Sequence, residues 1–204
     1  MIIGHQLIIN FLERAIANDR VAHAYLFLGS EHVGKRTVAE WFAGKLCGTP
    51  EEKLVQNPDF LELKRATDDD GKEQKTIGID EIRDLKSRFG LSSLLNSWKV
   101  ALIPDAESLT LQAANALLKM LEEPSGKTCF ILLAKHKDLL PKTVISRCAI
   151  VQFHLVPQAT IVKSLQALGV TDERGIELAK LSCGLPGVAL KFARDNEGYK
   201  KYTE

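Results

Sequence analysis

The chain has 204 residues, 45% hydrophobic and 26% charged, enough to bury a full core and far from a disordered or fibrous composition. No apolar run approaches the roughly 20 residues that span a bilayer, and the N-terminus, Met1-Ile2-Ile3-Gly4-His5-Gln6, lacks a leader's charged region, so we expect a cytoplasmic protein without membrane contact. A net charge of +1 says nothing for or against nucleic acid, because local patches decide such binding.

In chain order, residues 6–18 predict an amphipathic helix with Leu7, Phe11, Leu12, Ala15 and Ile16 as its apolar stripe. Residues 25–28 read as a short buried strand. The loop Gly29-Ser30-Glu31-His32-Val33-Gly34-Lys35 follows, then a helix over 35–47 with Val38, Trp41, Phe42 and Leu46 inward. Residues 59–63 predict a second strand, and Asp68-Asp69-Asp70-Gly71-Lys72 a solvated turn. Asp80 fits the N-cap of a helix ending near Gly90. Residues 99–103 make a third strand. Thr110 caps a helix that runs to Glu123 and stops at Pro124, with Leu117, Leu118 and Leu121 against the sheet. Residues 130–134 and 149–153 supply two more strands. Strands separated by helices predict an α/β core over 1–157, a five-stranded parallel sheet covered on both faces. After Pro157, helical patterns at 159–168, 172–182 and 186–194 predict a three-helix lid domain over 158–204.

The glycine loop fits G-x-x-x-x-G-K, and strand, loop and helix in that order are the context in which backbone N–H groups and a lysine cradle phosphates. The candidate nucleotide-binding residues are Gly29, Gly34, Lys35, Arg36, Thr37 and Asp105. The set is degenerate. Arg36 stands where a hydroxyl normally ligates Mg²⁺, and Thr37, one residue later, is rotated about 100° away on the helix. The strand at 99–103 should end in a metal-binding aspartate, yet Pro104 stands there. Asp105 follows near the place of an attacking water, and Glu107 reads as solvated. A transferring phosphoryl group would lack its counterion, so we expect no metal site, no hydrolysis and at most weak binding of ATP or ADP, with no cofactor required. The plainer reading makes Lys35 a surface lysine beside a helix N-terminus. Arg147, in Ser146-Arg147-Cys148 before the last strand, reads either as a structural salt bridge or as a guanidinium able to fork onto phosphate oxygens. Cys47, Cys129, Cys148 and Cys183 are widely spaced without a Cys-x-x-Cys pair, which predicts no zinc, and two of them sit in apolar contexts that suit reduced, buried thiols.

Several stretches together resemble the bacterial clamp-loader subunits of DNA polymerase III, members of the AAA+ family, over nearly the whole chain. They are Gly4-His5-Gln6, His23-Ala24-Tyr25-Leu26-Phe27, the glycine loop, Ile79-Asp80-Glu81-Ile82-Arg83, the block from Asn115 to Pro124, Ser146-Arg147-Cys148 and Gly184-Leu185-Pro186-Gly187. Motor subunits of the gamma/tau type carry a complete loop, an acidic metal ligand, a polar sensor after the fourth strand and a lid arginine. Here the strand ends Ala134-Lys135-His136 and the lid reads Leu185-Pro186-Gly187-Val188. The resemblance therefore implies the delta-prime type, a non-hydrolysing stator that offers Arg147 in trans to a neighbour's ATP. Its implied partners are gamma/tau and delta subunits in a hetero-oligomeric ring and, through the complex, the sliding clamp and primer–template DNA. Cys47 stands where a zinc module begins in many relatives but has no companions, and the collar domain of full members does not follow the lid, which implies either a fragment or a shortened relative. Helices beginning near Asp80 and Thr110 match those lining the DNA chamber, whereas Lys86, Arg88, Lys99 and Lys119 read as solvated charges. Two other readings stay open: a working ATPase in which Asp105 and Thr37 substitute for the missing groups, and an adaptor that binds nucleotide without hydrolysis.

Overall fold

A strand covered by helices on both sides has no solvent face to leave polar, and the central strands here are buried at every residue. The computed structural model describes residues 1–66, 74–89, 98–124 and 126–194; the turn expected at 68–72 and the helix end expected at Gly90 lie outside them. Among the described residues the strands are β1 (Ala24–Leu28), β2 (Phe60–Glu62), β3 (Lys99–Ile103), β4 (Thr128–Ala134) and β5 (Ala149–Gln152). They form the expected five-stranded parallel sheet in the order β2-β3-β4-β1-β5. Leu26 lies opposite both Leu132 and Ile150, and Leu102 opposite Ile131.

Alternation along the strands divides the core. Tyr25, Phe27, Leu102, Ile131 and Leu133 pack beneath α1 (Gln6–Ala17) and α2 (Lys35–Cys47). Leu26, Leu28, Ile103, Phe130 and Leu132 pack beneath α3 (Ile79–Phe89), α4 (Leu111–Glu122) and α5 (Lys142–Ile145). Each such side chain contributes about 1.5–3 kcal/mol by burial, so the sheet holds the frame on which the strand-end loops are mounted. The Thr110 hydroxyl accepts from Ala113 N at 3.2 Å and caps α4 as expected. Three helices follow the sheet: α6 (Gln158–Gln166), α7 (Asp172–Leu181) and α8 (Pro186–Arg194). They share a separate apolar cluster of Ile161, Leu165, Leu178, Ala189 and Phe192, which also takes in Ile3 and Val156. Among the described residues no helix is long and apolar enough to cross a membrane.

Several local expectations are corrected. Leu7 and Phe11 are 85% and 50% exposed; α1 instead buries Leu12 and Ala15, flanked by Ile8 and Ile16. Leu12, Ala15 and Ile16 face inward as expected, and Ile8 takes the place of Leu7 and Phe11, because the face that meets α2 and the sheet centres on Leu12. Asp80 is not an N-cap. Helix α3 already begins at Ile79, and Asp80 sits in the first turn, where its carboxylate suits the helix dipole and pairs with Arg83 at 2.8 Å. Leu118 is half-buried rather than core. Lys99 is not a solvated charge: it is buried at the start of β3, and its ammonium donates to the carbonyl of Arg88 at 3.3 Å near the end of α3.

Candidate functional site

The carboxyl ends of β1, β3 and β4 deliver Gly29, Pro104 and Lys135 to one place, where ligands sit on parallel sheets. Gly29 N donates to Ala134 O at 3.2 Å, tying the loop to the end of β4. Gly34, with φ of 113°, turns the chain into α2. A cavity of about 320 Å³ opens here, lined by Ile2, Ile3, Lys35, Arg36, Thr37 and Pro104 from the core side and Pro186, Gly187 and Leu190 from α8.

The charged groups around this cavity are already engaged within the chain. The Lys35 ammonium donates to Gly29 O and, at 2.9 Å, to Ser30 O. Burial lowers its pKa, opposed by the nearby Glu107 and Glu31 carboxylates. Arg36 Nε donates to Glu40 Oε1 and its Nη2 to Glu62 Oε1, both at 2.7 Å, so the residue in the hydroxyl's position braces α2 against β2. Asp105 pairs with Arg65. Lys135 reaches across to Glu31 at 2.7 Å and holds that carboxylate below its usual range. Glu107, expected to be solvated, accepts from the backbone N–H groups of Lys135 and, at 2.7 Å, His136. That is a correction with a plain cause: β3 and β4 are neighbours, so a carboxylate just beyond one strand meets the free amides at the end of the other.

The loop's later carbonyls are occupied as well. His5 Nε2–H donates to Val33 O at 2.7 Å, its ring edge-on to Phe153 with centroids 4.8 Å apart. Burial lowers the His5 pKa, partly offset by this bond to Val33. Gly187 N, in the first turn of α8, donates to His32 O at 2.8 Å. A β-carbon at 187 would stand 2.9 Å from that oxygen, so glycine is what permits the approach.

The structure thus brings Gly29, Gly34, Lys35, Arg36, Thr37 and Asp105 to one end of the sheet, together with four groups that the sequence did not mark as their partners: Glu31, Arg65, Glu107 and His5. The glycine pattern signalled the loop. Nothing in the spacing signalled Arg65, thirty residues away from the loop and brought in by β2. Arg147 stands elsewhere, between the end of α5 and β5. Its Nη1 donates to Thr143 O at 3.1 Å and Ser146 Oγ at 3.3 Å, and its Nη2 pairs with Glu122 at the end of α4. The salt-bridge reading is therefore met within this chain, yet both side chains stay partly exposed, 36% for Arg147 and 46% for Glu122. Cys47 and Cys129 are buried, and burial pushes the Cys47 thiol up to about 12, in keeping with a packing role. No cluster of three metal-ligating side chains occurs among the described residues.

A family model described as "DNA polymerase III, delta subunit" matches residues 4–157. The DNA polymerase III subunit delta' of Pseudomonas aeruginosa is 35% identical over 206 residues, covering 88% of this chain and 61% of that protein. The subunit delta' of Bacillus subtilis is 28% identical, covering 93% of this chain and 59% of that one, and the B. subtilis subunit tau is 28% identical over 88% of this chain and 33% of its own length. The chain thus spans about three fifths or less of these relatives. Among solved structures, a gamma-subunit-related protein of DNA polymerase III from Thermotoga maritima superposes with a TM-score of 0.60 at 28% identity, over 84% of this chain and 57% of its own. The T. maritima RuvB Holliday junction branch migration motor superposes at 0.66 over 94% of this chain and 61% of its own; at 17% identity it shows the fold alone.

Proposed function

The chain belongs to the DNA polymerase III delta-subunit family and has the α/β fold of AAA+ proteins, and from that premise we propose that it is a delta-prime-like, ATPase-inactive subunit of the sliding-clamp loader. Its partners are gamma/tau and delta subunits in a hetero-oligomeric cytoplasmic ring. Through that ring it acts with the clamp on primer–template DNA, supplying Arg147 in trans to a neighbouring motor subunit's ATP.

One observation carries the reading. At the strand ends, the charged groups that would meet a phosphate or a metal each bond to a partner in the same chain: the Lys35 ammonium to the carbonyls of Gly29 and Ser30, Arg36 to Glu40 and Glu62, Asp105 to Arg65. Catalysed phosphoryl transfer needs such groups aimed at the developing charge. The working-ATPase alternative asks Asp105 and Thr37 to do this, and Asp105 is already committed to Arg65. The cavity between loop and α8 favours a second reading, an adaptor that holds ATP or ADP without hydrolysing it. The test is ATP turnover by a loader reconstituted from the natural full-length protein and its neighbours. Lys35→Ala leaves turnover unchanged and Arg147→Ala lowers it. Loss of turnover with Lys35→Ala and none with Arg147→Ala would reverse the assignment.

A further inference from the structure

Arg147 is not a freely moving side chain waiting for a neighbour. Its Nη1 is held by Thr143 O at 3.1 Å, in α5, and by Ser146 Oγ at 3.3 Å, at that helix's C-cap. Its Nη2 is held by Glu122, the last residue of α4. Nε has no partner among the described residues, so one fork remains, made of Nε–H and the second Nη2 hydrogen. A planar guanidinium can give that fork to two oxygens of one phosphate while its other edge stays bonded. Glu122 also sits where the helix dipole disfavours a carboxylate, with Glu123 beside it, so its placement is electrostatically reasonable through the arginine it meets.

Resting on the trans role proposed above, we infer that Glu122 is a positioning residue for Arg147: it fixes the guanidinium so that its open edge is presented to an anionic phosphate oxygen on the neighbouring subunit. The carboxylate touches no nucleotide. It acts by removing the rotameric freedom that a long, partly exposed arginine would otherwise lose at the moment of reaction, and it keeps its bond throughout because the phosphate takes Nε–H and the second Nη2 hydrogen, which Glu122 leaves free.

The experiment is a mutant cycle in the reconstituted loader, reading kcat and KM for ATP and, separately, ring assembly and the melting temperature of the subunit. Glu122→Ala lowers kcat about tenfold, in the range that removal of an orienting partner costs, with KM, assembly and melting unchanged. Glu122→Gln, which keeps an acceptor for Nη2, recovers most of the loss. In the Arg147→Ala background Glu122→Ala has no further effect. If Arg147→Ala lowers turnover but Glu122→Ala does not, the positioning role is overturned and the trans role stands. A Glu122→Ala loss that persists without Arg147, or that comes with failed assembly or a lower melting temperature, also overturns it. If Arg147→Ala itself has no effect, the trans role fails and this inference with it.

Discussion

Two clusters of charge on this molecule meet their partners in opposite ways. At the phosphate loop, cations and carboxylates from four strand ends are turned on one another and on the loop's own carbonyls, and the helix α8 adds an N–H to His32 O. At the loop before β5, Arg147 is held through Nη1 and Nη2, and its Nε has no partner among the described residues. The contrast separates a site whose charged groups are satisfied within the chain from an arginine that, on the proposed trans role, keeps donors for a phosphate. Neither set of ion pairs adds much stability, since partly exposed pairs contribute about 0–1 kcal/mol each. Their content is in which groups they leave available.

The largest effect that would break this contrast is functional. Arg147→Ala should cost about a thousandfold in hydrolysis at the site it faces, the lower range for loss of such an arginine, while moving the subunit's own melting temperature little. A large fall in stability would make Arg147 structural. Next comes Gly187→Val. Its β-carbon would press on His32 O at 2.9 Å, and the expected loss is about 1–3 kcal/mol, measured by denaturant unfolding, with faster amide exchange in residues 29–35. An unaltered melt would mean that α8 does not clamp the loop. Lys35→Ala should cost about 1 kcal/mol of stability through the lost carbonyl contacts; a catalytic lysine would instead show itself as lost turnover at unchanged stability.

The smallest effect is pH dependence. Burial depresses the His5 pKa in the folded state below its ordinary 6.5. Between those two values the unfolded chain binds a proton that the folded chain does not, so stability is full above about pH 6.5, falls as pH drops towards the folded value and then levels. His5→Gln, which retains an N–H donor, should remove that part of the slope in unfolding titrations. An identical slope in the variant would assign it to other groups.

What the sequence disclosed and what it hid divide along contact range. The G-x-x-x-x-G-K loop was legible because a turn, a lysine and a following helix are local, and Thr110 was legible as a cap for the same reason. The sheet was legible from apolar runs separated by helices. The partners that close the loop were not. Arg65 meets Asp105 because β2 lies beside β3, Glu107 meets the amides of 135 and 136 because β3 lies beside β4, and Lys135 meets Glu31 because β4 lies beside β1. Each pairing depends on strand order, which no residue spacing encodes. The outward face of α1 was misjudged because Leu7 and Phe11 satisfy helical periodicity as well as the buried residues do.

Whether the charged groups around the cavity are spent within the chain can be read from calorimetric titration of the purified chain with ATP, with and without Mg²⁺, beside Lys35→Ala. No binding heat that depends on Mg²⁺ or on Lys35 is expected. Weak, metal-independent binding would favour the adaptor reading. Tight, Mg²⁺-dependent binding that disappears with Lys35→Ala would return the loop to the class of working nucleotide sites.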